Sequence, residues 1–332
     1  MKVFRGYQHP ALAQPCALTI GNFDGVHRGH QAMLALLKNE AEHRQLPARV
    51  MTFEPHPREY FSPLTAPARI STLRDKLTEL ARCGIDQVVV LPFNARLACQ
   101  SAAAFIGEVL VAGLQSRYVL VGDDFRFGSK RAGDYAMLDA AGDEFGFDVA
   151  RMNSYEVHGV RVSSSAVREA LAQGQMETAA RLLGRSYSLS GHVIHGKKLG
   201  RELGFRTLNI AFKHSKPAVG GIFAVRTHGL GSTALDGVAS LGIRPTIEHA
   251  GRVLLEVHCL SWPEASSDGA GLDSAYGKIV RVELLHKLHD ELKYEGLDAL
   301  KKGIARDCDD AQAFFDAMHT ETSRPTTARD RI

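Results

Sequence analysis

Gly21-Asn22-Phe23-Asp24-Gly25-Val26-His27-Arg28-Gly29-His30 follows the short apolar run Cys16–Ile20 and leads into a helical pattern, Gln31–Glu42. A strand, a tight glycine turn and a helix start are thus packed into about two dozen residues. His27 and His30 fall on the same side of the first helical turn. Free backbone N–H groups and the positive end of the helix dipole favour an anion there. Two imidazoles aimed at that anion can stabilise the charge that builds up on a phosphate under attack. Histidines at a helix start can also be plain caps, and a bare His-x-Gly-His is weak evidence. Its place after a strand and a glycine turn shifts the reading to phosphate chemistry. Gly29 lets a nucleotide approach the backbone closely.

Outward from this stretch, strands and helices alternate up to about residue 185. Leu18–Ile20, Val50–Phe53, Gln87–Leu91 and Tyr118–Val121 read as strands, separated by helical stretches Gln31–Glu42, Leu73–Arg82, Ala102–Leu114 and Tyr135–Glu144. Unbroken apolar strands between helices predict a parallel sheet covered on both faces, a Rossmann-like doubly wound α/β domain. Ligands of such sheets bind at the carboxyl ends of the strands. Three polar loops fall there: Gly21–His30, Glu54-Pro55-His56-Pro57 and Gly122-Asp123-Asp124-Phe125-Arg126-Phe127-Gly128. Ser165–Leu171 and Glu177–Leu183 read as short helices closing this domain, 1–184.

After Gly184 the pattern changes. Tyr187–Ile194, Ile222–Thr227, Gly237–Leu241, Val253–Leu260 and Ile279–Leu288 are strand-like, with glycine-rich turns and no crossover helices. This predicts an antiparallel β-barrel over 185–316, closed by helical runs Leu297–Arg306 and Ala311–Met318. The polar segment 317–332 reads as a disordered tail.

Composition narrows the class. The chain has 332 residues, 45% of them hydrophobic, which suits a globular protein of about two domains. A net charge of +3 argues against a nucleic-acid coat or a membrane-surface protein. The five cysteines are scattered and form no C-x-x-C pair, so neither a disulfide framework nor a zinc site is expected. No apolar run suits a signal peptide or a membrane span, and the expected location is the cytoplasm. The sequence leaves the oligomeric state open.

A second anion-binding pattern is Arg161-Val162-Ser163-Ser164-Ser165-Ala166-Val167-Arg168. Serines at a helix start are usually N-caps. With the arginines, Ser163 or Ser164 and the free N–H groups can hold phosphate oxygens, while Arg168, one turn in, supplies charge. The ordered set G-x-F-D-G-V-H-x-G-H, F-E-P-H-P, G-x-D/N-F-x-F-G and S-S-S/T-x-V/I-R resembles the adenylyltransferase half of the bacterial bifunctional riboflavin kinase/FMN adenylyltransferases, the FAD synthetases. That resemblance implies that His27 and His30 hold the ATP phosphates while the FMN phosphate attacks the α-phosphorus. It implies nucleotide contacts at Gly21, Phe23, Asp24, Gly29, Ser164 and Arg168, and FMN near Asp124, Phe125 and Arg161. Many relatives carry Asn at the position of Asp124.

The second domain resembles the kinase half of the same family. Gly196-Lys197-Lys198-Leu199-Gly200-Arg201-Glu202-Leu203-Gly204-Phe205-Arg206-Thr207-Leu208-Asn209 is similar to its G-x-x-L-G-[FY]-P-T-A/L-N-[IL] segment. Thr207 and Asn209 are two apart on an extended segment and share a face; a hydroxyl and an amide oxygen suit Mg²⁺. The resemblance implies ATP contacts at Gly196, Lys198 and Gly204. Glu256, in an apolar strand, is then the base that takes the proton of the riboflavin 5′-hydroxyl. Two positions depart from the family pattern. Its proline before the threonine is Arg206 here, which removes a backbone constraint. The arginine of its Leu-Arg-x-Glu is His289 here, a titrating group expected near the flavin. The expectation is an enzyme that makes FMN and then FAD from riboflavin and ATP, with Mg²⁺. The rival is a monofunctional FMN adenylyltransferase with a flavin-binding, kinase-impaired second domain.

Overall fold

The computed structural model describes residues 1–157, 159–196, 204–212, 216–244, 252–261 and 275–322. They divide into two compact units, Met1–Pro67 with Ser71–Val167, and Ala68–Ile70 with Arg168–Ile332.

In the first unit six strands form one parallel sheet: β1 (Lys2–Arg5), β2 (Cys16–Ile20), β3 (Ala48–Glu54), β4 (Gln87–Pro92), β5 (Ser116–Gly122) and β6 (Asp148–Met152). The order across the sheet is β1-β4-β3-β2-β5-β6. From β2 the chain builds outward through β3 and β4, then returns to place β5 on the other side. Beyond β2 the strand order therefore reverses, which opens a crevice at its carboxyl end. Helices α1 (Arg28–His43), α2 (Pro57–Phe61), α3 (Leu73–Arg82), α4 (Ala95–Cys99), α5 (Ala102–Ala104) and α6 (Tyr135–Phe145) lie between the strands. Alternate residues of each central strand feed two cores. Cys16, Leu18, Ile20, Val119 and Val121 belong to one, and Ala17, Val88, Val90, Tyr118 and Leu120 to the other. Burial on both faces is what the unbroken apolar runs predict.

Two sheet strands escaped the sequence reading. In β1 only Phe4 is buried, and β6 has no buried residue. Both are edge strands, and an edge exposed on its faces needs no apolar run to announce it. The run Ala102–Leu114, expected as α-helix, winds mostly as a π-helix over Phe105–Gly113. Gly107 and Gly113 with β-branched Ile106, Val109 and Val111 weaken the α preference there. Packing of Phe105, Ile106, Val109 and Leu110 into the core then sets the wider winding.

Helices α7 (Ser164–Ala172) and α8 (Met176–Leu183) precede the second sheet. It is a closed antiparallel barrel of β9 (Tyr187–Ile194), β10 (Thr207–Ala211), β11 (Gly221–His228), β12 (Leu235–Arg244), β13 (Arg252–Cys259) and β14 (Ile279–His289), ordered β10-β13-β12-β11-β14-β9. A two-stranded ribbon, β7 (Glu156–Val157) and β8 (Val160–Arg161), precedes α7 in the chain. The C-terminal helix α9 runs unbroken from Leu297 to Thr322, where two helical runs and a tail from residue 317 were expected. Nothing between Arg306 and Ala311 breaks a helix: the segment has neither Gly nor Pro. Past Met318, Thr320 Oγ1 donates to Asp316 O at 2.8 Å. Residues 323–332 of the expected tail lie outside the described residues.

α9 seals the barrel with Ala311 and Phe315, which pack on Ala224 of β11 and Val238 of β12. Phe315 is 1% exposed. Phe315→Ala should therefore lower the stability of the barrel unit by about 3–5 kcal/mol, read from the urea midpoint of its unfolding.

Candidate functional site

The loop after β2 occupies the strand-order reversal, with the loops after β3 and β5 on either side. Its backbone is forced: Phe23, Gly25 and Val26 all have positive φ, at 47°, 85° and 41°. A β-branched residue in that region is held there only by its surroundings. Phe23 and Val26 are anchored in the core. The Asp24 carboxylate accepts from Ser71 N at 3.1 Å and Ser71 Oγ at 3.3 Å. Gly25 N donates to Ser71 Oγ at 3.1 Å, and Thr52 Oγ1 donates to Asn22 O at 3.1 Å. Asp24, expected at the nucleotide, is thus engaged in holding the loop. Ser71, which sequence reasoning missed, is its partner from the start of α3. No motif marks that serine.

His27 is the N-cap of α1, and its Nδ1 accepts from His30 N at 3.2 Å. An accepting Nδ1 carries no proton, so the assigned tautomer places the proton on Nε2, where the ring can donate. The His30 ring stacks on it, centroids 3.6 Å apart and planes 15° from parallel. Burial, the neighbouring His27 and the Lys76 charge hold the His30 pKa well below the usual histidine range. The His30 ring is therefore held toward its neutral form. Gly29 is closely approached: a Cβ would crowd the His27 ring and Val162 O, each at 3.3 Å.

The start of α7 joins this corner. Ser164 Oγ donates to Asp24 O at 3.0 Å, and Ser163 Oγ caps the helix by accepting from Ala166 N at 3.2 Å. Two helix starts, Arg28 and Ser164, therefore meet at one loop, and their positive ends add. Ser164 spends its proton on the loop and keeps only its lone pairs. Arg168, one turn further, belongs to the second unit, where its Nε donates to Ala68 O at 2.7 Å.

In the loop after β5, Phe125 and Phe127 stack at 5.4 Å, and Phe127 packs on Phe105 at 5.7 Å. Phe127 N donates to Gly133 O and Gly133 N to Phe127 O, which closes the loop. Arg161 pairs with Asp123 at 3.6 Å, and Asp123 also accepts from Ser154 Oγ at 2.6 Å. The Ser154 hydroxyl pulls the Asp123 carboxyl below its ordinary range; burial opposes this, and the Arg161 charge and backbone N–H groups of Asp124 and Ser154 add to the lowering. Asp123, passed over by the sequence reading, is the acid that orients Arg161. Asp124 is exposed beside it.

In the barrel unit the ladder assembles the other set. Thr207 is the register partner of His258, Asn209 that of Glu256, and Glu256 also that of Ser240. Register partners share a face. On β13, half-buried Leu254, Glu256 and His258 alternate with buried Val253, Leu255, Val257 and Cys259. The polar row thus lies opposite the apolar barrel core. Asn209 is buried, and a Cβ at Gly196 would collide with its amide. Ser240 Oγ donates to Glu291 Oε1 at 3.1 Å. Gly204 has φ +90°; Lys198 lies outside the described residues.

Both departures have local answers here. His258 Nδ1 lies 2.9 Å from Arg206 O, so a hydrogen bond steadies the backbone where the family has proline. His289 Nε2 bonds the Asp307 carboxylate at 2.8 Å, and its Nδ1 lies 2.7 Å from Asp290 O. Burial opposes charging His289. The bonds to Asp290 O and Asp307, with the charges of Asp307 and Asp310, outweigh it and raise the pKa.

Residues 9–166 match the family model for FAD synthetase, and residues 183–315 that for riboflavin kinase. The bifunctional riboflavin kinase/FMN adenylyltransferase of Escherichia coli (strain K12) is 45% identical over 317 residues, covering 95% of this chain and 98% of the relative. The chain belongs to the bifunctional riboflavin kinase/FMN adenylyltransferase family. The Haemophilus influenzae member is 42% identical over 96% of this chain and all of its own length, 100%. A crystal structure described as a macrolide-efflux protein from Streptococcus pneumoniae superimposes with a TM-score of 0.74 at 23% identity. It covers 94% of this chain and 99% of its own, and shows a shared fold. Within the family frame, the β2 and β5 loops lie in the FAD synthetase part and the Asn209–Glu256 row in the riboflavin kinase part. Among the described residues no helix is long and apolar enough to cross a membrane.

The His289–Asp307 pair gives a pH dependence of definite sign. A raised folded pKa contributes stability that is full below the unfolded value of about 6.5 and is lost as pH rises through the folded value. The urea midpoint of the barrel unit should fall as pH rises above about 6.5. Asp307→Asn should flatten that dependence.

Proposed function

We propose that this chain phosphorylates riboflavin to FMN at the barrel and adenylylates FMN to FAD at the α/β unit, in the cytoplasm. The near full-length likeness to bifunctional relatives carries this reading. The five cysteines, all free, suit a reducing compartment. We assign the adenylyltransferase part to residues 1–184 and the kinase part to 185–316.

At the barrel, Glu256 accepts the proton of the riboflavin 5′-hydroxyl as its oxygen attacks the γ-phosphorus of ATP, and ADP leaves. Asn209 stands next to it across the ladder. Thr207 and Asn209 offer a hydroxyl and an amide oxygen, donors that fit Mg²⁺. When bound, the ion supplies positive charge to the ATP phosphates. His289, its pKa raised by the bonds to Asp290 O and Asp307, takes the place of the family's arginine beside the flavin. The bond from His258 to Arg206 O argues that the lost proline does not disable this site.

At the α/β unit, an FMN phosphate oxygen attacks the α-phosphorus of the second ATP. The bond to the β,γ-diphosphate breaks, and pyrophosphate leaves. His27, His30 and the paired helix starts stabilise the charge on the phosphates. Gly21, Phe23 and Gly29 shape the loop, while Phe125 and Arg161 receive the FMN. No covalent enzyme intermediate is needed, since positioning and charge supply the catalysis. Two chemically separate sites also account for two full-length sets of motifs.

Incubation with riboflavin, ATP and Mg²⁺ should yield FMN and then FAD; neither product appearing would overturn the kinase assignment. Glu256→Ala should abolish riboflavin phosphorylation and leave FMN adenylylation within about twofold. His30→Ala should do the reverse.

A further inference from the structure

Helix α3 carries a charge that the chemistry above leaves unused. Lys76 is only 3% exposed, and lysine is rarely buried to that extent. Its Nζ donates to Thr52 Oγ1 at 3.3 Å, and Thr52 Oγ1 donates onward to Asn22 O at 3.1 Å. Thr52 lies near the carboxyl end of β3, beside β2. The ammonium is therefore tied to the root of the loop that carries His27 and His30, and its charge acts on His30.

We propose that Lys76 is a positioning residue of the adenylyl-transfer site, fixing the Asn22 carbonyl through Thr52 and placing its amine at the root of the loop that carries the two imidazoles. This rests on reading those imidazoles as the phosphate-binding pair. A buried ammonium opposes a second positive charge nearby. After burial and the neighbouring His27, it helps hold the His30 pKa down, and it attracts a polyanion that arrives. The ammonium is placed during folding, so it needs no rearrangement as phosphate charge develops. Other charged and titratable groups stand around this corner. His27 caps α1 and Asp24 binds Ser71. Arg28 is exposed. On α3, Asp75 accepts from Thr72 Oγ1 and Glu79 pairs with Arg82.

The test uses the full chain and reads FMN adenylylation, riboflavin phosphorylation and the His30 titration by NMR. Lys76→Met keeps the stem and removes the charge. It should cut kcat for adenylylation by about tenfold or more, leave phosphorylation within about twofold, and move the His30 midpoint upward. Lys76→Arg should recover part of the rate. Thr52→Val, which keeps the cation, should lower the rate without moving the midpoint. Near-normal adenylylation in Lys76→Met, an unmoved His30 midpoint, or a parallel loss of phosphorylation would each overturn the proposal. If Lys76→Met does not fold, unchanged adenylylation in both Lys76→Arg and Thr52→Val overturns it. His30→Ala separates the two levels. Retained adenylylation in that variant defeats the phosphate-binding reading itself, whereas its loss beside a normal Lys76→Met defeats only the role of Lys76.

Discussion

The α/β unit depends on one forced turn. Between β2 and α1 the chain adopts positive φ at Phe23, Gly25 and Val26, and only the surroundings make that tolerable. Phe23 and Val26 are locked in the core, Asp24 is bonded to Ser71, and Asn22 O is held by Thr52. That turn brings the His27 cap to the start of α1 and lets Gly29 lie against Val162 O. The second helix start is fastened to it through Ser164. The anion site is thus a product of loop strain, spread over contacts from β3, α3 and α7.

The barrel solves a different problem by a different device. Its polar row needs no strained turn, because register alone aligns Asn209, Glu256 and Ser240 across β10, β13 and β12. Alternation along β13 assigns one face to the apolar core and the other to chemistry. α9 covers the part of the outer surface formed by Ala224 and Val238, so the barrel wall is apolar where that helix sits.

Two substitutions within the family pattern show how local chemistry is replaced. Proline fixes a backbone covalently; here His258 holds Arg206 O from the neighbouring strand. Arginine is always charged; at His289 the bond to Asp290 O, then Asp307 and Asp310 on α9, raise the pKa against burial. In both cases the compensation comes from a residue distant in sequence, which makes the sites dependent on the packing of the barrel and its helix.

The sequence by itself determined a great deal. Unbroken apolar strands between helices announced the parallel sheet, glycine-punctuated runs announced the barrel, and the ordered motifs announced the family. Those signals are local, since periodicity, turn chemistry and spacing act over a few residues. Edge strands β1 and β6, the π-helix and the full length of α9 were less legible, because exposure and packing settle them. The tertiary structure alone decided the partners of the site. It set Ser71 on Asp24, Asp123 rather than Asp124 on Arg161, Lys76 under the histidine loop and Asp307 on His289. Each pair joins separate stretches of chain through a hydrogen bond or a buried charge, and no local pattern encodes which distant residue will complete it.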